Sequence, residues 1–109
     1  MSDAIKVLGQ LEAAGTTNED LYTAPNLSQV TISTLTVCNR TGGALTYRIA
    51  VRPAAEALAN KHYIAFDRSL AGAGTDNWTI GITMEEADII TVYASATGLS
   101  FNLFGVETT

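Results

Sequence analysis

Apolar side chains in this chain fall at every second position, in one short block after another. No long window carries the spacing of an amphipathic helix. That periodicity leaves few options, because it is the pattern of strands buried on one face. The clearest block is 45–52. Leu45, Tyr47, Ile49 and Val51 point one way, and Thr46, Arg48, Ala50 and Arg52 the other. It stops at Pro53, which has no N–H to give to a ladder. An Ala-rich connection at 54–60 is too short for a stable helix and reads as a single turn or crossover loop. A second strand follows at 61–67.

The rest of the chain reads the same way. Residues 5–11 form a first strand, with Gly9 marking a bend or bulge. Residues 12–20 are turn-forming, and 21–25 are extended up to Pro25. In 28–38, Val30 and Ile32 share one parity and Leu35 and Val37 the other, so one extra residue at Ser33–Thr34, a β-bulge, would return all four to one face. Asn39-Arg-Thr-Gly-Gly at 39–43 is a turn signal, most simply a hairpin. A loop is expected at 69–77, then strands at 77–83, 88–94 and 99–104, with a short polar tail. Tyr47, Ile49, Val51, Trp78, Ile80, Ile82, Phe101 and Leu103 are among the expected core residues. Seven to eight short strands with close turns predict one all-β domain over 1–109, an antiparallel β-sandwich of the jelly-roll or immunoglobulin-like kind.

Charge narrows the partners. Charged residues make up only 16% of the chain, against roughly a quarter in ordinary soluble domains. The surface must therefore be rich in Thr, Ser, Asn, Ala and Gly, which suits burial against other subunits. Net charge is −5, from eleven acidic and six basic residues, which argues against nucleic acid as a partner. Nothing at the start of the chain reads as a leader, and no apolar run approaches the ~18 residues of a membrane span, so a soluble protein made in a cytoplasm, with no membrane partner, is expected. With Cys38 the one cysteine, no intrachain disulfide and no multi-thiolate zinc site can form.

Few residues invite chemistry. Cys38 and His62 offer a nucleophile and a base, but nothing around Cys38 would lower its pKa, and it reads as a small buried hydrophobe. Glu85, Glu86 and Asp88 lack the spacing of a calcium loop and read as a solvated turn. Gly-Ala-Gly-Thr at 72–75 lacks the ending of a phosphate loop. The expectation is no catalytic residue, no metal and no cofactor. Arg48, Arg52, Lys61 and Arg68 hold most of the positive charge. Arg48 and Arg52 share one strand face, where their planar forks suit a neighbouring subunit's carboxylates. With His62 they form the expected interface, and Arg52→Glu is expected to spare folding and weaken assembly.

Lys-Val-Leu-Gly-Gln near the start, DLYTAP at 20–25, VTISTLTVCNRTGG from Val30, TYRIAVRPAAEALANKHYIAFD from Thr46 and ITVYASATGLSFNLFGVE from Ile90 together resemble small virion structural proteins of tailed phages, common in phages of cyanobacteria and other aquatic bacteria. The resemblance runs from about residue 5 to 107. It implies a β-rich particle component without enzymatic activity or cofactor, located in the virion. The expected role is a capsid decoration or cement protein, a homotrimer at quasi-threefold positions that bridges subunits of the major capsid protein. A tail, neck or fibre component is the alternative. A third reading is a carbohydrate-binding module for host attachment, with Trp78 and Tyr63 as stacking residues.

Overall fold

The computed structural model describes residues 2–109. It contains nine strands: β1 (Asp3–Glu12), β2 (Glu19–Thr23), β3 (Gln29–Asn39), β4 (Leu45–Arg52), β5 (Tyr63–Leu70), β6 (Thr75–Trp78), β7 (Thr83–Glu85), β8 (Ile89–Ala94) and β9 (Leu99–Thr108). Two single 3-10 turns, Pro53–Ala55 and Asn60–His62, lie in the connection from β4 to β5. The strands form two sheets. Sheet A has the order β1-β9-β3-β6, with β7 also on β3; sheet B has the order β2-β8-β4-β5. Every pairing is antiparallel.

The pairing resolves the choice between sandwiches. β1 pairs β9, β2 pairs β8, β3 pairs β6 and β7, and β4 pairs β5. This is one long hairpin, turning between β4 and β5, rolled up so that successive pairs fall in alternate sheets. That is a jelly roll. In the immunoglobulin arrangement the first two strands share a sheet, whereas here β1 and β2 lie in different sheets.

Alternation explains the core. Tyr47 and Ile49 of sheet B face Leu35, Val37, Phe101 and Leu103 of sheet A, and all six are fully buried. Tyr47 and Phe101 meet edge to face, with ring centres 6.1 Å apart. Each side chain of this size stabilises the fold by roughly 1.5–3 kcal/mol through burial. The bulge expected in β3 is present: the register with β9 slips between Ile32 and Thr34, so Val30, Ile32, Leu35 and Val37 all face inward. Gly9 also marks a slip, between Val7 and Gly9. Two polar ties join the sheets. Tyr47 donates to Asp76 on β6 at 2.6 Å and accepts from the Trp78 indole at 2.9 Å. Tyr22 on β2 donates to Glu107 on β9 at 2.5 Å, and Lys6 pairs with the same carboxylate at 2.7 Å. Lys6 and Tyr22 hold Glu107 below the usual carboxylate range.

Several local expectations are corrected. The 39–43 turn is not a hairpin, because β3 and β4 lie in different sheets. Buried Asn39 anchors this crossover: its amide donates to the carbonyls of Gly43 and Leu70, and its oxygen accepts from the N–H and hydroxyl of Thr41. The loop expected at 69–77 shrinks, since β5 runs to Leu70, buried in the core, and β6 begins at Thr75. The strand expected at 77–83 is broken. β6 ends at Trp78, β7 starts at Thr83, and Gly81 between them has φ +72°. The break lies opposite the β3 bulge, and Ile80 swings out to 54% exposure instead of joining the core. Trp78, Ile82 and Val51 pack against the core half-buried. The polar tail is the second half of β9.

Candidate assembly surface

Sheet B carries the residues expected to form an interface, and each meets a partner in its own chain. Arg48 pairs with Asp67, with Nε 2.6 Å from Oδ1, and its guanidinium lies between the rings of Phe66 and Tyr93, 4.2 and 4.4 Å from their centres. Arg52 is only 17% exposed. It reaches Asp20 at 3.1 Å, Thr91 at 3.0 Å and the Glu56 carbonyl at 2.8 Å. Lys61 and His62 both contact Glu56. His62 is buried: Nδ1 accepts from the Ala59 N–H at 3.0 Å, which leaves Nε2–H to donate to Glu56 at 3.2 Å. Those contacts, from His62 first and then Lys61, lower the Glu56 pKa. Arg68 meets Asp76 at 3.4 Å. Arg48 and Arg52 do share a face, but buried Ala50 lies between them, beneath the 53–62 segment that folds back over sheet B.

The other candidates are dispersed. Cys38 is half-buried on sheet A, between Ser100 and Thr75 in the register, while His62 lies in the covering segment of sheet B. Asp88 is a turn anchor, accepting from the N–H groups of Ala54 and Glu85 at 2.8 and 2.9 Å. Among the described residues no three His, Cys, Asp or Glu gather as a metal site. Trp78 packs half-buried against the core with its N–H taken by Tyr47, which leaves only part of its ring open for stacking. Tyr63 packs edge-on against Phe66, with ring centres 4.9 Å apart.

The outer face of sheet A has a different character. The register aligns its side chains in rows across β1, β9 and β3 and onto β7 or β6. At one end the row is Asp3, Thr108, Gln29 and Glu85; next come Ile5, Val106, Thr31 and Thr83, then Val7, Phe104 and Thr34. Beyond them lies a polar row, Gln10, Asn102, Thr36 and Asn77, tied by side-chain bonds of 2.8 Å (Gln10 to Asn102) and 3.0 Å (Thr36 to Asn77). Ile5 is 85% exposed and Val7 49%. Ile5, Val7, Phe104 and Val106 line a shallow apolar depression of about 320 Å³. An apolar centre with a polar margin is how a protein interface is built.

No sequence expectation placed this patch, although parity carried the signal. In β9, Leu99, Phe101 and Leu103 face inward, so Phe104 and Val106 must face out. In β1 the slip at Gly9 separates outward Ile5 and Val7 from half-buried Leu11. The edge of β1 is closed to strand addition by the same residues: Lys6 points inward to Glu107 and the bulge twists the strand. On the β1 side the face, not the edge, is what this sheet offers.

Fold and surface together define a jelly-roll β-sandwich in which the 53–62 segment lies over part of sheet B, leaving Phe66 56% exposed, while sheet A presents an open, partly apolar face. No protein-family model matches the chain, and no curated protein aligns with it significantly.

Proposed function

We propose that this protein is a structural component of a tailed-phage virion, a capsid decoration or cement protein that acts as a homotrimer and bridges capsid subunits. The observation that carries the reading is the open face of sheet A, with exposed Ile5 and Val7 beside Phe104 and Val106 and a nearly uncharged polar row behind them. Ten-residue strands spaced as in any sheet span about 30 Å by 15–20 Å. That footprint, roughly 450–600 Å², is below the ~800 Å² per partner of a stable free-standing interface. A jelly roll suits the role, as it suits many others. Attachment at many equivalent positions would let modest contacts act together.

Copy number tests the reading. Quantitative mass spectrometry of purified particles should find about three copies per capsid hexamer. A dozen copies or fewer would replace decoration with the tail, neck or fibre role, and none at all would remove the virion reading.

A further inference from the structure

We infer that the open face of sheet A docks a different protein, one with an apolar centre and Lys or Arg side chains at its rim, and not a second copy of this chain, so the contacts of the proposed homotrimer fall outside this face. The inference rests on the reading of this face as an assembly surface.

The distribution of charge carries it. All six Lys and Arg residues are paired within the chain: Lys6 with Glu107, Arg40 with Glu12, Arg48 with Asp67, Arg52 with Asp20, Lys61 with Glu56 and Arg68 with Asp76. Eleven carboxylates against six cations leave five uncompensated, and these five account for the net charge of −5. They are Asp3, Glu19, Glu85, Glu86 and Asp88. Glu19 lies away from the open face, on β2 of sheet B, and the Asp88 carboxylate is held between the N–H groups of Glu85 and of Ala54 in the segment over sheet B, which leaves Asp3, Glu85 and Glu86 at the open face. Asp3 and Glu85 close the end row of that face, one row from Ile5 and Val106. Glu86 follows Glu85 in the exposed turn, and Asp88 anchors that turn.

The apolar patch is thus bordered on one side by most of the molecule's uncompensated negative charge. A second copy would bring the same acids and, among the described residues, no free Lys or Arg, so the acidic rim would meet like charge or the uncharged Gln10 and Asn102 row and never a counter-charge. A partner with spare Lys or Arg would turn the same rim into steering and register. Edge-to-edge pairing of two β1 strands offers no alternative, because inward Lys6 and the bulge block it.

Rebinding of the purified protein to particles stripped of it tests the inference, with salt varied between about 0.01 and 0.15 M, over which the screening length falls from about 30 to about 8 Å. The wild-type chain should bind more weakly as salt rises. The double variant Glu85→Lys with Glu86→Lys should bind about tenfold more weakly at low salt and lose most of the salt dependence. Glu19→Lys, on the other sheet, should stay within about twofold of wild type. Both variants change exposed or half-buried turn and strand-end positions, and unchanged urea midpoints would show that folding is intact. Normal rebinding by the double variant overturns the basic rim while leaving the virion role standing. A self-associated form in sedimentation that Ile5→Asp dissociates overturns the exclusion of a second copy. Failure of the wild-type chain to bind particles at all removes the functional reading, and this inference with it.

Discussion

Asn39 shows how one buried polar side chain can hold a crossover. It sits at the end of a strand whose other inward residues are apolar, and all its hydrogen-bonding capacity is used by Thr41, Gly43 and Leu70. Asn39→Ala would remove all four of these hydrogen bonds, with only the Gly43 carbonyl keeping a partner in the Thr41 hydroxyl, and should cost roughly 3 kcal/mol in urea unfolding. Tyr47 plays the matching part between the sheets. Burial, reinforced by the hydrogen bond to Asp76, pushes its phenol up to about 12. The folded state therefore favours the neutral phenol. That stabilisation is complete below the ordinary value of about 10 and is lost as pH rises from there toward the folded value. Tyr47→Phe should cost about 1–2 kcal/mol at neutral pH and flatten the alkaline fall in thermal stability. Part of the slope should remain, because Tyr22 is raised too, by burial and then by its bond to Glu107. Arg52 is a tie rather than a free cation. It joins β4 to Asp20 on β2, Thr91 on β8 and the Glu56 carbonyl. Arg52→Glu should therefore destabilise the monomer by about 1–3 kcal/mol, measurable before any assembly is attempted. The sequence reading anticipated a silent fold.

At the scale of elements, β1 is the strand most exposed to error. It is an edge strand of ten residues with exposed Ile5 and Val7. Its protection is Lys6, directed inward to a buried carboxylate, together with the slip at Leu8. Lys6→Val should remove both the guard and the partner of Glu107. Concentration-dependent light scattering should rise in the variant while the wild-type chain stays clear. The chain's alternation made most strands legible without any structure: β4 matches its expected limits, and the β3 bulge follows from a change of parity. Two elements were not legible. Residues 77–83 alternate as a strand should, yet Gly81 and the opposing bulge break the pairing and expose Ile80. Residues 39–43 have the composition of a hairpin turn but serve as a crossover, because composition reports that the chain turns and not which sheet it enters next.

At the scale of the whole molecule, the rolled hairpin places the chain ends side by side: Asp3 pairs Thr108, and Ser2 and Thr109 exchange backbone hydrogen bonds of 2.8 Å. Only β4 and β5, among consecutive strands, are paired neighbours in a sheet. Nearly every pairing must therefore close a long loop before it gains contacts. Stopped-flow refolding should accordingly take milliseconds to seconds, as for other all-β sandwiches of this size. Microsecond refolding would show that local structure matters more than the topology implies.

The sequence by itself determined the class of fold, the parity of most core residues and the scarcity of charge. These follow from the two-residue period of a strand and from composition, and both are local. It also carried the five-residue excess of acid. Only the tertiary structure decided which strands pair, hence jelly roll over immunoglobulin-like, and which carboxylate meets which cation. Those outcomes depend on contacts between residues far apart in the chain, which no short window contains. For the same reason the expected interface cations on sheet B proved to have partners in their own chain. The open face of sheet A emerged only when β1, β9 and β3 were laid side by side.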